Sequence, residues 1–251
     1  MPDGFEVIVL GASGTFPTAE QPATGFLLRS GKADVWLDAG PGTFMSLQRH
    51  SDYFALQALV ISHLHLDHIT DVYPFYYGLR YSIDSRGALG LPVYAPAGAR
   101  KHLEQIVGGD GFGKFFDFRT VSAGDKAEIG PFSFDFHKSR HPIECNAMKI
   151  RAAGRVLVYT ADSGPSDDLA GFAQGADVLI AEASMQEPSE GLENVHMTAG
   201  EAGDMAAKAG AGRLVLTHIV PGLDSDVSVE QARSRFGGEV IAATRDLRLQ
   251  V

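Results

Sequence analysis

The chain has 251 residues, 45% apolar and 21% charged, with one cysteine, 21 basic and 31 acidic side chains and a formal charge of −10. This balance fits a folded chain with a sizeable core and excludes long disorder, an internal disulfide framework and a cysteine-based zinc knuckle. No basic stripe offers the phosphate neutralisation that broad nucleic-acid binding needs, and no apolar run approaches the length of a membrane span.

Residues 5–10 read as a short strand ended by Gly11-Ala12-Ser13-Gly14. No basic or long apolar leader precedes it, so a cytoplasmic protein is expected. Residues 26–29 and 35–37 predict a hairpin turning at Ser30, Gly31 and Lys32. A short helix is expected over 44–48, a buried strand over 58–61, a strand over 93–95 and a helix over 98–106. The glycine-rich run 108–113 predicts a connector between two halves. Strands are expected over 132–136, 147–150, 156–159, 178–181, 214–216 and 247–249, and helices over 167–173, 199–209 and 229–236. Two halves of similar order predict a single domain over 1–251, an αββα sandwich of two mixed sheets with helices outside.

The chemistry concentrates directly after the strand at 58–61, where His63, His65, Asp67 and His68 fall within six residues. Buried without partners, three imidazoles and a carboxylate would be costly, so they are not core filler. His63 and His65 alternate and point the same way from an extended segment. Asp67 and His68 fall on the turn that opens the next element. Imidazole plus carboxylate suits Zn²⁺ and related divalent ions.

The run fits H-x-H-x-D-H and resembles the metallo-β-lactamase-fold hydrolases. Further positions match in order: His141 before Pro142, Asp162 in Thr160-Ala161-Asp162-Ser163-Gly164, and His218 in Leu216-Thr217-His218-Ile219. Asp38 in Leu37-Asp38-Ala39-Gly40 matches the aspartate that braces the metal loop in that family. The resemblance implies a dinuclear site between the sheets. One cation takes His63, His65 and His141, the other Asp67, His68 and His218, and Asp162 bridges them with a water or hydroxide. Zn²⁺ is the expected metal, and Mn²⁺ and Fe²⁺ accept similar ligands. Two divalent cations less two carboxylates leave a local charge of about +2, which favours an anionic substrate.

Within the superfamily, Asp67-His68 is intact, unlike the redox branch. Ala181-Glu182-Ala183-Ser184 and His196-Met197-Thr198-Ala199 resemble two short motifs of the phosphodiesterase branch that includes the tRNA 3′-processing endonuclease (ribonuclease Z). There the glutamate orients the histidine, which contacts phosphate and protonates the leaving oxygen; Asp67 is the third catalytic candidate, as a proton relay. The bacterial tRNA enzymes carry a long arm where this chain has only a hairpin between His141 and Asp162, and a histidine where it has Ala181. The remaining likeness is to small actinobacterial cyclic-nucleotide phosphodiesterases. It extends over Leu10-Gly11-Ala12-Ser13-Gly14-Thr15, Ala23-Thr24-Gly25-Phe26-Leu27-Leu28-Arg29, Ser46-Leu47-Gln48-Arg49-His50 and Leu216-Thr217-His218-Ile219-Val220-Pro221.

The resemblance therefore implies hydrolysis of a small anionic phosphodiester, a 3′,5′-cyclic nucleotide first, by hydroxide attack in a homodimer; composition and charge make nucleic acid a disfavoured partner and a membrane none. A tRNA 3′-end endonuclease, a thioesterase or lactonase, and a metal-containing accessory protein without turnover are the alternatives. The 11–14 loop is either a tight turn or a wall of the substrate site with Ser13 or Thr15 near the phosphate. His50 and His102 are expected at the surface, and His141 is preferred to His137. Tyr73, Tyr76, Tyr77 and Tyr81 are core, interface or, in one case, base-stacking candidates, and Arg80 is a candidate substrate contact.

Overall fold

Side-chain alternation decides how the layers form. The computed structural model describes residues 4–83, 90–107, 111–192 and 194–251. In chain order come β1 (Phe5–Gly11), β2 (Gly25–Ser30), β3 (Ala33–Leu37), α1 (Thr43–His50), β4 (Ala58–Val60), α2 (Leu66–Ile69), α3 (Val72–Tyr81), β5 (Leu91–Ala95), α4 (Ala99–Val107), α5 (Phe112–Phe115) and β6 (Phe116–Thr120). The second half has β7 (Lys126–Ile129), β8 (Phe132–Lys138), β9 (Asn146–Ala152), β10 (Arg155–Tyr159), α6 (Asp167–Phe172), β11 (Val178–Glu182), α7 (Ala199–Ala209), β12 (Arg213–Thr217), α8 (Ser225–Arg233), β13 (Glu239–Ala242) and β14 (Arg248–Gln250).

One sheet has the order β14-β1-β2-β3-β4-β5-β6 and the other β13-β12-β11-β10-β9-β8-β7. Each begins as an antiparallel meander and continues as parallel strands, from β3 onward in the first and from β10 onward in the second. Val7, Val9, Phe26, Leu28, Val35 and Leu37 face Phe132, Phe134, Phe136, Met148, Ile150 and Leu157 across the space between the sheets. Phe5 meets Phe132 edge-on at 5.5 Å, and Phe26 meets Tyr159 at 5.4 Å. The opposite parity, Ile8, Leu10, Leu27 and Trp36, packs on Phe44 of α1 and Phe75 of α3. On the far side, Val158, Leu179, Leu214 and Leu216 pack under α6, α7 and α8. Each fully buried side chain of this size stabilises the fold by roughly 1.5–3 kcal/mol. The result is the αββα sandwich.

Several elements differ from expectation. Residues 108–110 of the expected connector lie outside the described residues, while Gly111 caps α5 instead of continuing a linker. Strands β6, β7 and β13 were not expected; β7 buries only Ala127 and Ile129, too short a pattern to read. No helix bounds were expected for α3, although Tyr73, Tyr76, Tyr77 and Tyr81 fall on it at near-helical spacing; its Pro74 lies in the first turn, where a missing N–H costs nothing. α8 starts four residues before 229 because Asp224 caps it through Asp226 N–H. β9 and β10 close a tight hairpin through Ala153 (φ 50°) and Gly154 (φ 74°), a pairing suited to the strand twist. Among the described residues no helix is long and apolar enough to cross a membrane.

Candidate metal centre

The candidate donors sit where chains leave strand ends. After β4, residues 61–64 form neither strand nor helix, with a bend at Ser62, His65 is the N-cap of α2, and Asp67 and His68 lie within its four residues. His141 follows β8, Asp162 follows β10, and His218 follows β12. Donors thus come from loops of both sheets. Left-handed backbone marks these exits: Asp38 (φ 55°), Ala161 (φ 52°) and His218 (φ 59°), with Thr15 (φ 64°) beside them. Such conformations are strained for non-glycine residues and cluster where side chains must be aimed.

All seven sequence candidates converge. His65 Nδ1 lies 3.2 Å from His63 Nε2 and 3.1 Å from His141 Nε2. Asp162 Oδ2 is 3.6 Å from His63 Nε2 and 3.3 Å from His218 Nε2, and its Oδ1 is 3.3 Å from His68 Nε2. Asp67 Oδ2 is 3.0 Å from His218 Nε2 and 3.7 Å from His68 Nε2. Two overlapping sets result, His63-His65-His141-Asp162 and Asp67-His68-Asp162-His218, each with ligand atoms within 4.8 Å of one another.

The outward nitrogens show what the inward ones are for. His68 Nδ1 donates to Asp38 Oδ2 at 2.9 Å, His141 Nδ1 to the Val195 carbonyl at 3.2 Å, and His218 Nδ1 to Ser184 Oγ at 2.8 Å. Ser62 Oγ gives its own proton to Asp38 at 2.8 Å, so it accepts from His63 Nδ1 at 3.0 Å. Each of these four imidazoles then turns Nε2 inward as its ligand atom, the arrangement by which outer partners orient metal-binding histidines. His68 Nε2 and Asp162 Oδ1 are buried with no hydrogen-bond partner, normally a cost of about 1–3 kcal/mol. Convergent ligand atoms and orphaned buried atoms fit two divalent cations.

Electrostatics separates the sets. Burial pushes the His63 imidazole well below its usual pKa, and His65 and His141 likewise downward, keeping them neutral donors. Burial also opposes charge on His68, but Asp162 and Asp38 outweigh it and hold that imidazole well above its usual value. His218 is raised in the same way by Asp162 and Asp67. Burial disfavours charge on Asp162, yet His218, His68 and His63 hold it well below the usual carboxylate range. A cation must displace protons from His68 and His218, so binding at the second set is expected to weaken as pH falls through neutrality. Calorimetry in buffers of different ionisation enthalpy should show proton release on binding; pH-independent affinity with no release would contradict the assignment.

Beside the two sets stands the acid–histidine pair. Glu182 ends β11 fully buried, not at the surface. Its Oε1 lies 2.8 Å from His196 Nδ1 and accepts from Ser163 N–H, while Oε2 accepts from Ser184 and Met197. The His196 ring stacks on His218 at 5.6 Å and meets His141 edge-on at 5.4 Å. Thr198 caps α7 in a full capping box with Glu201, which fixes the chain just after His196.

Other candidates fall differently. The 11–14 loop braces the donors: Thr15 N–H donates to Asp67 Oδ2 at 3.0 Å, and a Cβ on Gly14 would lie 2.3 Å from the His218 carbonyl. Ser13 is buried and gives its hydroxyl to the Phe16 carbonyl, so it does not face the site. His137 pairs with Asp168 and stacks on Phe172, apart from the donor sets. His102 is exposed, whereas His50 is mostly covered and bonded to Asp246 at 2.6 Å. Tyr76 is core, Tyr73 half-buried, Tyr77 and Tyr81 exposed, and Arg80 lies over the Tyr76 and Tyr81 rings. Two contributors were not foreseen. Tyr159 crosses from the second sheet to donate to Asp38 at 2.8 Å, and Ser184 joins His218 to Glu182. A tyrosine on the inward parity of β10 was the available signal, since a buried hydroxyl needs a partner.

Residues 34–219 match the family described as the beta-lactamase superfamily domain. The probable metallo-hydrolase YhfI of Bacillus subtilis is 34% identical over 243 residues, covering 94% of this chain and 96% of that one. Its crystal structure superposes with a TM-score of 0.90 over 99% of this chain and 100% of that one, at 30% identity. Ribonuclease Z of Halobacterium salinarum is 31% identical over 296 residues, covering 95% of each chain. The short form of human tRNase Z shares the fold, with a TM-score of 0.78, 21% identity and coverage of 97% and 98%. The chain belongs to the metallo-β-lactamase-fold superfamily of metal-dependent hydrolases.

Proposed function

We propose that the chain, acting as one unit over residues 1–251, is a phosphodiesterase whose best-fitting substrate is a 3′,5′-cyclic nucleotide. The observation that carries this reading is the Glu182–His196 pair packed against both donor sets. Hydrolysis of a lactam, lactone or thioester does not require that additional pair. When bound, divalent cations polarise phosphoryl oxygens and lower the pKa of water. Zn²⁺ is our first choice of metal. His63, His65 and His141 would hold one cation, Asp67, His68 and His218 the other, and Asp162 both.

Glu182 fixes His196 Nδ1, leaving Nε2 to hold a proton for the departing oxygen. Burial opposes charge on His196, but Glu182 and Asp162 outweigh it and raise its pKa, so the donor stays protonated further into the neutral range. Turnover should decline as pH rises through that raised value. His196→Ala is expected to lower kcat by about 10²–10⁴-fold, remove this alkaline limb and leave metal content unchanged. Full kcat in the variant would refute the role.

Ribonuclease Z relatives favour a second reading, cleavage of precursor tRNA 3′ ends. Against it stand the tight β9–β10 hairpin, with no arm, and the net charge of −10. Turnover of cyclic AMP and cyclic GMP by zinc- or manganese-loaded protein, beside precursor tRNA and a thioester, separates the readings. Cyclic-nucleotide hydrolysis lost in Asp67→Ala supports the first; cleavage of precursor tRNA alone supports the second.

A further inference from the structure

Ser184 lies two residues beyond Glu182, is 4% exposed, and touches three functional groups with one hydroxyl. Its Oγ is 2.7 Å from Glu182 Oε2, 2.8 Å from His218 Nδ1 and 3.3 Å from His196 Nδ1. A hydroxyl donates one proton. A carboxylate only accepts, so the contact with Glu182 takes the hydroxyl proton and the lone pairs of Oγ face the imidazoles. His218 Nδ1 must then carry a proton, which leaves Nε2, 3.0 Å from Asp67 and 3.3 Å from Asp162, as the ring atom turned to the second cation set. Glu182 therefore holds His196 directly and His218 through Ser184.

We infer that Ser184 is a positioning residue that couples the second cation set to the His196 proton donor. It sets the His218 tautomer and maintains the near-parallel stacking of the two rings, inclined by 13°. The catalytic half of this inference rests on the phosphodiesterase reading; the half concerning His218 and cation binding does not.

Stepwise Mn²⁺ titration of chelator-treated protein by calorimetry, with steady-state kinetics, tests it. Ser184→Ala is expected to weaken one of the two binding steps by about 10–100-fold and leave the other unchanged, the usual effect of losing an outer partner. kcat should fall with an unchanged KM, and Ser184→Thr should restore both properties. A general structural role would disturb both binding steps and KM alike. If Ser184→Ala does not fold, Ser184→Cys keeps the volume with a weaker donor and carries the same expectation, since hard Mn²⁺ disfavours thiol ligands. Wild-type affinity at both steps in the folded variant would overturn the inference. If the wild-type protein hydrolyses no phosphodiester, the proposed function fails, while the binding steps still decide the role at His218.

Discussion

Asp162→Ala is expected to abolish tight cation binding at both sets and to lower hydrolysis by about 10³-fold or more. The carboxylate is 2% exposed and is the one group shared by the two sets. Its oxygens face His63, His68 and His218 at 3.3–3.6 Å, so removing it leaves only imidazoles in the first set and Asp67 as the one carboxylate of the second, with no shared counter-charge. Cation catalysis supplies several kcal/mol of transition-state stabilisation, and about 4 kcal/mol corresponds to a thousandfold change in rate. Asp162→Asn keeps the shape but not the charge and should fold normally while losing most cation affinity. Elemental analysis of the purified variants beside their turnover checks this. Two tightly held equivalents in Asp162→Ala would contradict the bridging role.

Asp38→Ala should have the largest effect on stability, about 3–5 kcal/mol. Asp38 is fully buried and accepts four hydrogen bonds: Ser62 N–H at 2.7 Å, Ser62 Oγ at 2.8 Å, His68 Nδ1 at 2.9 Å and Tyr159 Oη at 2.8 Å. Alanine would strand these donors where water does not reach. The backbone adds to the loss, because φ is 55° there and aspartate tolerates left-handed geometry better than alanine. His68 would also lose the partner that sets its tautomer, so cation affinity at the second set should fall about 10–100-fold. Denaturant unfolding with a parallel cation titration measures both effects. A loss under about 1 kcal/mol would show that the hub is dispensable to the fold.

Legibility in the sequence followed the range of the interactions. The β-rich run at 5–10 marks β1 as a strand, though Val7 to Leu10 are apolar on both faces and the layers they join show only in the fold, and the alanine-rich run gives α7 its bounds. β7 and β13 have four residues each and too few buried positions to show a period. α3 carries a proline and a glycine that read locally as breakers. In the candidate site, the donors stand out because imidazole and carboxylate recur in a short run and then at strand ends. Their supports do not. Tyr159 reaches Asp38 across 121 residues, Thr15 reaches Asp67 across 52, and Ser184 reaches His218 across 34. No local pattern records such contacts, and a serine or tyrosine becomes informative only once the fold gives its hydroxyl one available partner.

The central claim is that two divalent cations held by these loops make the protein a phosphodiesterase. Its most direct test follows hydrolysis of an aryl phosphodiester and of cyclic AMP as Zn²⁺ or Mn²⁺ is added to chelator-treated protein. The account predicts negligible activity without cation, a rise that completes at two equivalents per chain, and its loss in Asp162→Ala. Equal activity before and after cation addition, or saturated binding of two equivalents with neither phosphodiester cleaved, would contradict it.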